Sequence, residues 1–381
     1  MEVKKNILKT YEMFAGYGGA SFSLKKAQID FETVGYSEID KFAIQCYNQN
    51  HINIKNYGDA MKINVNDLPD FDLLTGGFPC QSFSIAGKGL GELETRGTLF
   101  NEIIRIAEIK KPKYMLLENV KGLTFKNHKK TFDKILSELK RIGYNVKWKI
   151  LNSKNYGVPQ NRERVFFVCF RNDIDNSFFS FPKEEELKIF LKDILEEEVD
   201  EKYYLKKIQI EKILYRKGFP IIQKNNFCAT ILARDYKDPK CIVLNNPKHS
   251  NDRVYNKKGI SSTLNTMQGG YRQPFIAENI KEYSNFFIFP RTKDGKLING
   301  SYNRVWHKDF VGTINCINPL NIYQDKKIRK LTPKECFRLM GFFDDEINLE
   351  GLSNTQKYKL AGNGWDINLV SKIFKQMFKL S

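Results

Sequence analysis

The chain has 381 residues, a formal charge of +18, 41% hydrophobic and 13% aromatic residues. This composition excludes a disordered chain and provides for more than one domain. The charge points to a polyanionic partner, with nucleic acid ahead of membrane.

In chain order, Glu12-Met13-Phe14 ends a short strand and runs into Phe14-Ala15-Gly16-Tyr17-Gly18-Gly19, and a helix is expected from Ser21 to Gln28. Glycines between a strand and a helix let backbone approach a ligand closely, although a simple tight turn has the same look. A strand at Glu32–Tyr36 leads to Glu38, about twenty residues beyond the glycines, where a ribose-binding carboxylate stands in nucleotide-type sites. A helix follows from Asp40 to Asn50, and Asp59 after Tyr57-Gly58 is a second acid, placed to hold an adenine amino group. The loop lacks the Lys-Ser/Thr ending of a phosphate cradle, which favours a nucleoside without a polyphosphate, such as S-adenosylmethionine.

The apolar run Phe71–Leu74 ends in the turn Gly77-Phe78-Pro79-Cys80-Gln81. A strand ending so presents a side chain at the rim of an open α/β sheet, where ligands bind. Cys80 reads either as a nucleophile or as a buried structural thiol. Helices are expected at Leu99–Ile109 and Lys129–Ile142, with a strand at Tyr114–Leu117 between them. Val165–Phe170 is wholly apolar, as a buried central strand requires, and its six residues are too few to span a bilayer. Alternating strands and helices predict an α/β fold with a doubly wound, mostly parallel sheet. The catalytic and cofactor-binding domain is expected at 1–185, completed by a C-terminal helix at 355–381.

Past Arg171 the alternation stops. The acidic stretch Glu184–Glu198 reads as a boundary helix, and residues 186–345 as a smaller domain of short β pieces and irregular chain. Ala229–Leu232, Ser262–Asn265 and Gly312–Asn315 are recurring strand-end turns rather than a repeat. The seven cysteines, at 46, 80, 169, 228, 241, 316 and 336, form no Cys-x-x-Cys pair and no metal pattern with the four histidines. Neither a disulfide framework nor a metal site is expected. No signal peptide or membrane span is read from the sequence, so the expected location is the cytoplasm.

Taken together, Phe14–Gly16, Gly77–Ser84, Arg96–Phe100, Glu118-Asn119-Val120, Tyr156–Arg164, Leu331–Cys336 and Gly362-Asn363 resemble the cytosine-5 DNA methyltransferases of bacterial restriction–modification systems. Their joint order and spacing cover the whole catalytic part. The resemblance implies the S-adenosylmethionine-dependent methyltransferase fold and a target-recognition domain. It makes Cys80 the nucleophile that adds to cytosine C6, and Glu118 the carboxylic partner at N3 and the amino group. Arg162 and Arg164 clamp the base O2 and neighbouring phosphates and share a strand face; of the two, Arg162 is expected nearer the base. A base inside a duplex must be flipped out to reach Cys80. The Gly/Ser-rich residues 81–99, with Gly87, Gly89 and Gly91, are expected to close over it.

By the same resemblance S-adenosylmethionine is held by Phe14, Gly16, Gly18, Glu38, Asp59, Pro79, Leu99, Asn363 and Trp365. Gln81, Ser84 and Arg96 contact DNA. Arg234, Thr263, Gln268, Arg272 and Gln273 are candidates in the recognition region, whose signature is Arg253-Val254-Tyr255, Gly259-Ile260-Ser261 and Thr263-Leu264. Two departures stand out: Gly364-Trp365-Asp366 where a small and an aliphatic residue are usual, and Ile39 in place of an aromatic. The expected partner is double-stranded DNA, with a cognate restriction endonuclease as functional partner and the chain itself a monomer. A tRNA cytosine-5 methyltransferase of the same fold is disfavoured by the long recognition region, and a silent DNA-binding regulator by Cys80, Glu118 and Arg162.

Overall fold

The computed structural model describes residues 7–78, 98–203 and 331–379, and the backbone of six short strands between 254 and 330. It divides into two compact units, Met1–Lys188 with Cys336–Ser381, and Ile189–Glu335.

The larger unit opens with β1 (Leu8–Met13), α1 (Gly19–Lys26), β2 (Phe31–Ser37) and α2 (Lys41–Asn50). There follow β3 (Leu73–Gly77), α3 (Thr98–Lys110), β4 (Tyr114–Val120), α4 (Lys129–Arg141), β5 (Tyr144–Asn152), β6 (Gln160–Asn161) and β7 (Glu163–Arg171). Six strands form one sheet in the order β2-β1-β3-β4-β7-β5. All pair in parallel except β7, which runs antiparallel to both β4 and β5.

Strand side chains alternate between the two faces. Met115 and Leu117 of β4, with Val165, Phe167 and Cys169 of β7, join a core with Ile103 and Ile106 of α3 and Ile135 and Leu139 of α4. Leu116, Phe166, Val168 and Phe170 point the other way, to Ala20 and Leu24 of α1 and to the C-terminal residues Val370, Ile373 and Phe374. The unbroken apolar run of β7 follows from this burial on both faces. Each such side chain contributes about 1.5–3 kcal/mol, so the C-terminal segment is part of the core of this unit.

In the smaller unit, α5 (Leu191–Ile194) precedes β8 (Val254–Asn256), β9 (Ser261–Ser262), β10 (Phe275–Ala277), β11 (Asn285–Ile288), β12 (Val305–Lys308) and β13 (Ile328–Lys330). β13, β10 and β8 form one small sheet, and β11 pairs antiparallel with β12. Thr332 and Glu335 make a capping box at α6 (Pro333–Arg338): Glu335 Oε2 accepts from Thr332 N at 2.7 Å and Thr332 Oγ1 from Glu335 N at 3.2 Å. The larger unit ends with α7 (Asn354–Asn363) and α8 (Ile367–Met377).

The structure differs from the sequence reading at four places. Only Leu191–Ile194 is helical within the acidic stretch; Glu185 N bonds Asn155 O at 2.9 Å, and the three successive glutamates bring no apolar stripe to bury. β5 escaped notice although Val146, Trp148 and Ile150 alternate with Lys147 and Lys149. The C-terminal helix is two helices, broken at Gly364-Trp365-Asp366. Residues 336–345, assigned from sequence to the recognition domain, cluster with the larger unit, where Phe337 and Phe342 pack on Tyr17. The turns at 229–232 and 312–315 lie outside the described residues.

Candidate active site

The carboxyl ends of β1, β2, β3 and β4 form one rim. Beyond β1, Phe14, Gly16 and Gly18 all have positive φ, at 54°, 59° and 87°. Gly18 is required twice, since an added Cβ would also lie 2.2 Å from His51 Nε2. Gly18 has no side chain with which to cap α1. Glu12, 2% exposed at the end of β1, does so instead: its carboxylate accepts from the Ser21 hydroxyl, from Tyr47 OH and from the backbone N–H groups of Ala20 and Ser21. Burial pushes this carboxyl up to about 7 against those four donors. Glu12 was not singled out from sequence; its signal is an acid set within the apolar end of a strand.

Glu38 joins two loops. Its Oε2 accepts from Gly16 N at 2.9 Å, and its Oε1 from Ile39 N and Asp40 N at 2.8 and 2.9 Å. A carboxylate offers about four acceptor positions, so one remains for a diol. Asp59 Oδ1 caps a short turn through Met61 N at 3.0 Å. A Cβ on Gly16 or Gly58 would meet nothing within 4 Å, and Ile39 is 73% exposed. Acids, open glycine backbone and an uncovered aliphatic side chain suit a nucleoside with a free diol and a flat base. S-adenosylmethionine fits that donor set. Leu99 is half-buried on α3, and Asn363 is exposed at the end of α7.

Gly77 lies opposite Glu118 in the β3–β4 register. Arg164 Nε is 2.8 Å from Glu118 Oε1, with both side chains mostly buried. The pair is diagonal on one face, because Glu118 faces Phe166 and Val120 faces Arg164 across the ladder. Of the two arginines, it is Arg164 that meets Glu118. Arg162, 3% exposed, donates from Nη1 to Gly362 O at 3.3 Å and from Nη2 to Gly364 O at 2.8 Å. Burial, and then the charge of Arg164, lower its pKa to about 9, so it stays charged at neutral pH. Standing just before β7, Arg162 turns into the C-terminal segment, while Arg164 reaches Glu118.

The departure at 364–366 has a packing reason. A Cβ on Gly364 would sit 1.9 Å from Tyr17 Cε1, and Tyr17 OH donates to Trp365 O. The Trp365 indole fills the space above Gly77: an added Cβ there would lie 2.8 Å from Trp365 Nε1 and 3.3 Å from Glu118 Oε2. Asp366 caps α8 through Asn368 N at 2.9 Å and Leu369 N at 3.3 Å. Asn119, buried, donates from Nδ2 to Phe78 O at 3.0 Å, at the end of β3. Its role beyond the motif was missed in the sequence. Pro79, Cys80, Gln81, Ser84 and Arg96 lie outside the described residues, as do Arg234, Thr263, Gln268, Arg272 and Gln273.

Residues 8–379 match the family described as C-5 cytosine-specific DNA methylase. The chain belongs to this family. It is similar to the orphan methyltransferase M.SPBetaI of Bacillus phage SPbeta, at 33% identity over 97% of each chain. It is also similar to the type II methyltransferase M.HhaI of Haemophilus parahaemolyticus, at 33% identity over 96% of this chain and 93% of the relative. Among solved structures, a Spodoptera frugiperda DNMT2 variant superposes with a TM-score of 0.67 at 19% identity, covering 97% of this chain and 99% of the other. S. pombe Dnmt2 gives 0.66 at 19% identity over 98% of each. These two likenesses establish the fold. The protein is a DNA (cytosine-5-)-methyltransferase with an α/β methyltransferase fold, and among its described residues no helix is long and apolar enough to cross a membrane.

Proposed function

We propose that this methyltransferase moves a methyl group from S-adenosylmethionine to C5 of cytosine in a specific duplex sequence, through a covalent bond between Cys80 and C6 of a flipped-out base. The observation that supports it most is the pairing of Glu118 with Arg164 beside Gly77, three residues ahead of Cys80. Cytosine C5 is a poor nucleophile. The Cys80 sulfur donates an electron pair to C6, and Glu118 at N3 and the amino group draws charge from the ring so that addition is easier. When bound, S-adenosylmethionine supplies an electrophilic sulfonium methyl group. Once C5 carried that methyl group it would lose its hydrogen as a proton to water, and the electrons left behind would expel the Cys80 sulfur. Arg164 orients Glu118 and offers its remaining N–H groups to the base O2. Arg162 holds the Gly362–Trp365 segment.

Phe14, Gly16, Gly18, Glu38, Asp59, Leu99, Asn363 and Trp365 would hold the cofactor. The charge of +18 suits a duplex. We place the enzyme as a cytoplasmic monomer whose methylation protects DNA from a cognate restriction endonuclease. A second reading of the context, a methyltransferase without such a partner, is favoured by the orphan relative of phage SPbeta.

Duplex DNA with 5-fluorocytosine at the target is expected to form a denaturation-resistant adduct that Cys80→Ala abolishes. An adduct that persists in Cys80→Ala overturns the nucleophile. Labelled methyl transfer to tRNA in place of duplex DNA overturns the substrate. Bisulfite sequencing of DNA from cells expressing the chain identifies the site. A nuclease gene acting at that site separates the two contexts.

A further inference from the structure

We propose that the segment from Lys121 to Lys130 is a docking surface for the sugar-phosphate backbone of duplex DNA, a role that rests on the DNA reading above and extends it to residues outside the catalytic site. The twelve residues from Lys121 to Phe132 contain four lysines and His128 but no aspartate or glutamate. They begin directly after Val120, at the carboxyl edge of β4, three residues beyond Glu118. That edge is where ligands meet an open α/β sheet.

The backbone here is held in fixed turns. Phe125 N bonds Gly122 O at 3.1 Å, His128 N bonds Phe125 O at 2.8 Å, and Thr124 Oγ1 bonds Lys121 O at 2.9 Å. Leu123 and Phe132 are buried in the core and anchor the two ends. Between them Lys126, Lys129 and Lys130 are exposed. Lys121 neutralises Glu163 at 2.8 Å. Lys126, Lys129 and Lys130 make no ion pair among the described residues, and Asp133 in the next turn takes none of them.

The placement runs against the local fold. Lys129 and Lys130 occupy the first turn of α4, which has no acidic residue and no side-chain cap. Cations there oppose the helix dipole, whereas an anion is favoured. Three lysines without an ion pair among the described residues, one on a short turn and two at the start of α4, with a cost to the helix that a bound anion offsets, match a polyanion with regularly spaced charges. A duplex backbone supplies those charges without asking for a sequence, and it continues past a flipped base at Glu118.

The test compares the full chain with Lys126→Ala/Lys129→Ala/Lys130→Ala. Binding to a duplex of about 30 base pairs is followed by anisotropy against salt. Each lost phosphate contact lowers the log–log slope by about 0.9, so the triple variant is expected to lose about 2 to 3 in slope. A control, Lys111→Ala/Lys134→Ala/Lys140→Ala, removes the same charge from exposed positions away from the turn and is expected to leave the slope near the parent's. Equal slopes in parent and test variant overturn the surface, as does an equal fall in the control, which would mean net charge alone. Loss of tRNA binding with duplex binding untouched also overturns it. A parent chain that binds no duplex at all refutes the DNA reading itself, a result distinct from these.

Discussion

Replacing Glu12 with Gln tests whether a buried carboxyl beneath the glycine loop sets the pH response of this fold. In the folded protein its pKa is raised from 4.5 to about 7, chiefly by burial. A raised acid pKa means that folding takes up a proton between those values. Stability from this group is therefore fully present below about pH 4.5, falls as pH rises, and levels off above about 7. The interval corresponds to about 3 kcal/mol at 1.36 kcal/mol per pH unit. The parent protein does not display this directly. His51, half-buried against the same loop, is lowered from 6.5 to about 4 and contributes with opposite sign, while buried Asp366, raised from 3.8 to about 6, adds to Glu12.

Subtraction isolates Glu12. Gln resembles the protonated acid in shape, and the Ser21 and Tyr47 hydroxyls can rotate to meet its amide. Urea unfolding of parent and Glu12→Gln at pH 5 and pH 7.5 then compares two chains that share His51 and Asp366. The stability difference, variant minus parent, is expected to grow by 2–3 kcal/mol in favour of the variant as pH rises. Stability profiles that stay parallel over this range would refute the reasoning.

Gly364→Ala forces a methyl group to 1.9 Å from the Tyr17 ring and is expected to destabilise by about 1–3 kcal/mol, read as a lowered Tm; an unchanged Tm would mean that the Tyr17 ring moves freely. Asn119→Ala leaves Phe78 O without its donor, two residues before Cys80 in the chain. Its effect is expected mainly in kcat, with a stability loss of about 1–3 kcal/mol and little change in cofactor affinity by calorimetry. Arg164→Gln keeps the fold but removes the positive charge paired with Glu118, and single-turnover methyl transfer is expected to fall at least tenfold, or about 1.4 kcal/mol. An equal fall in Arg162→Gln with no change in its Tm would contradict the division of labour between the two arginines.

Local chemistry was legible in the chain itself. Apolar runs, strand-to-helix alternation and the glycine turns follow from short-range sterics and burial, so β1 to β4 and their helices stand close to where periodicity puts them. Motif order was enough to suggest the family, and Glu38, Glu118 and the arginine pair could be named without coordinates. What the sequence could not decide is which charged groups meet. Alternation puts Arg162 and Arg164 on one face, but only the antiparallel docking of β7 on β4 brings Arg164 to Glu118 and turns Arg162 toward Gly362 and Gly364, two hundred residues away. The same holds for Glu12, whose importance arises because Gly18 cannot cap α1, and for Gly364-Trp365-Asp366, an anomaly as a string and a fitted piece against Tyr17 and Gly77. Periodicity encodes which face a residue takes. Its partner on that face is a matter of long-range register and of the volume left by neighbours, and those exist only once the chain has folded.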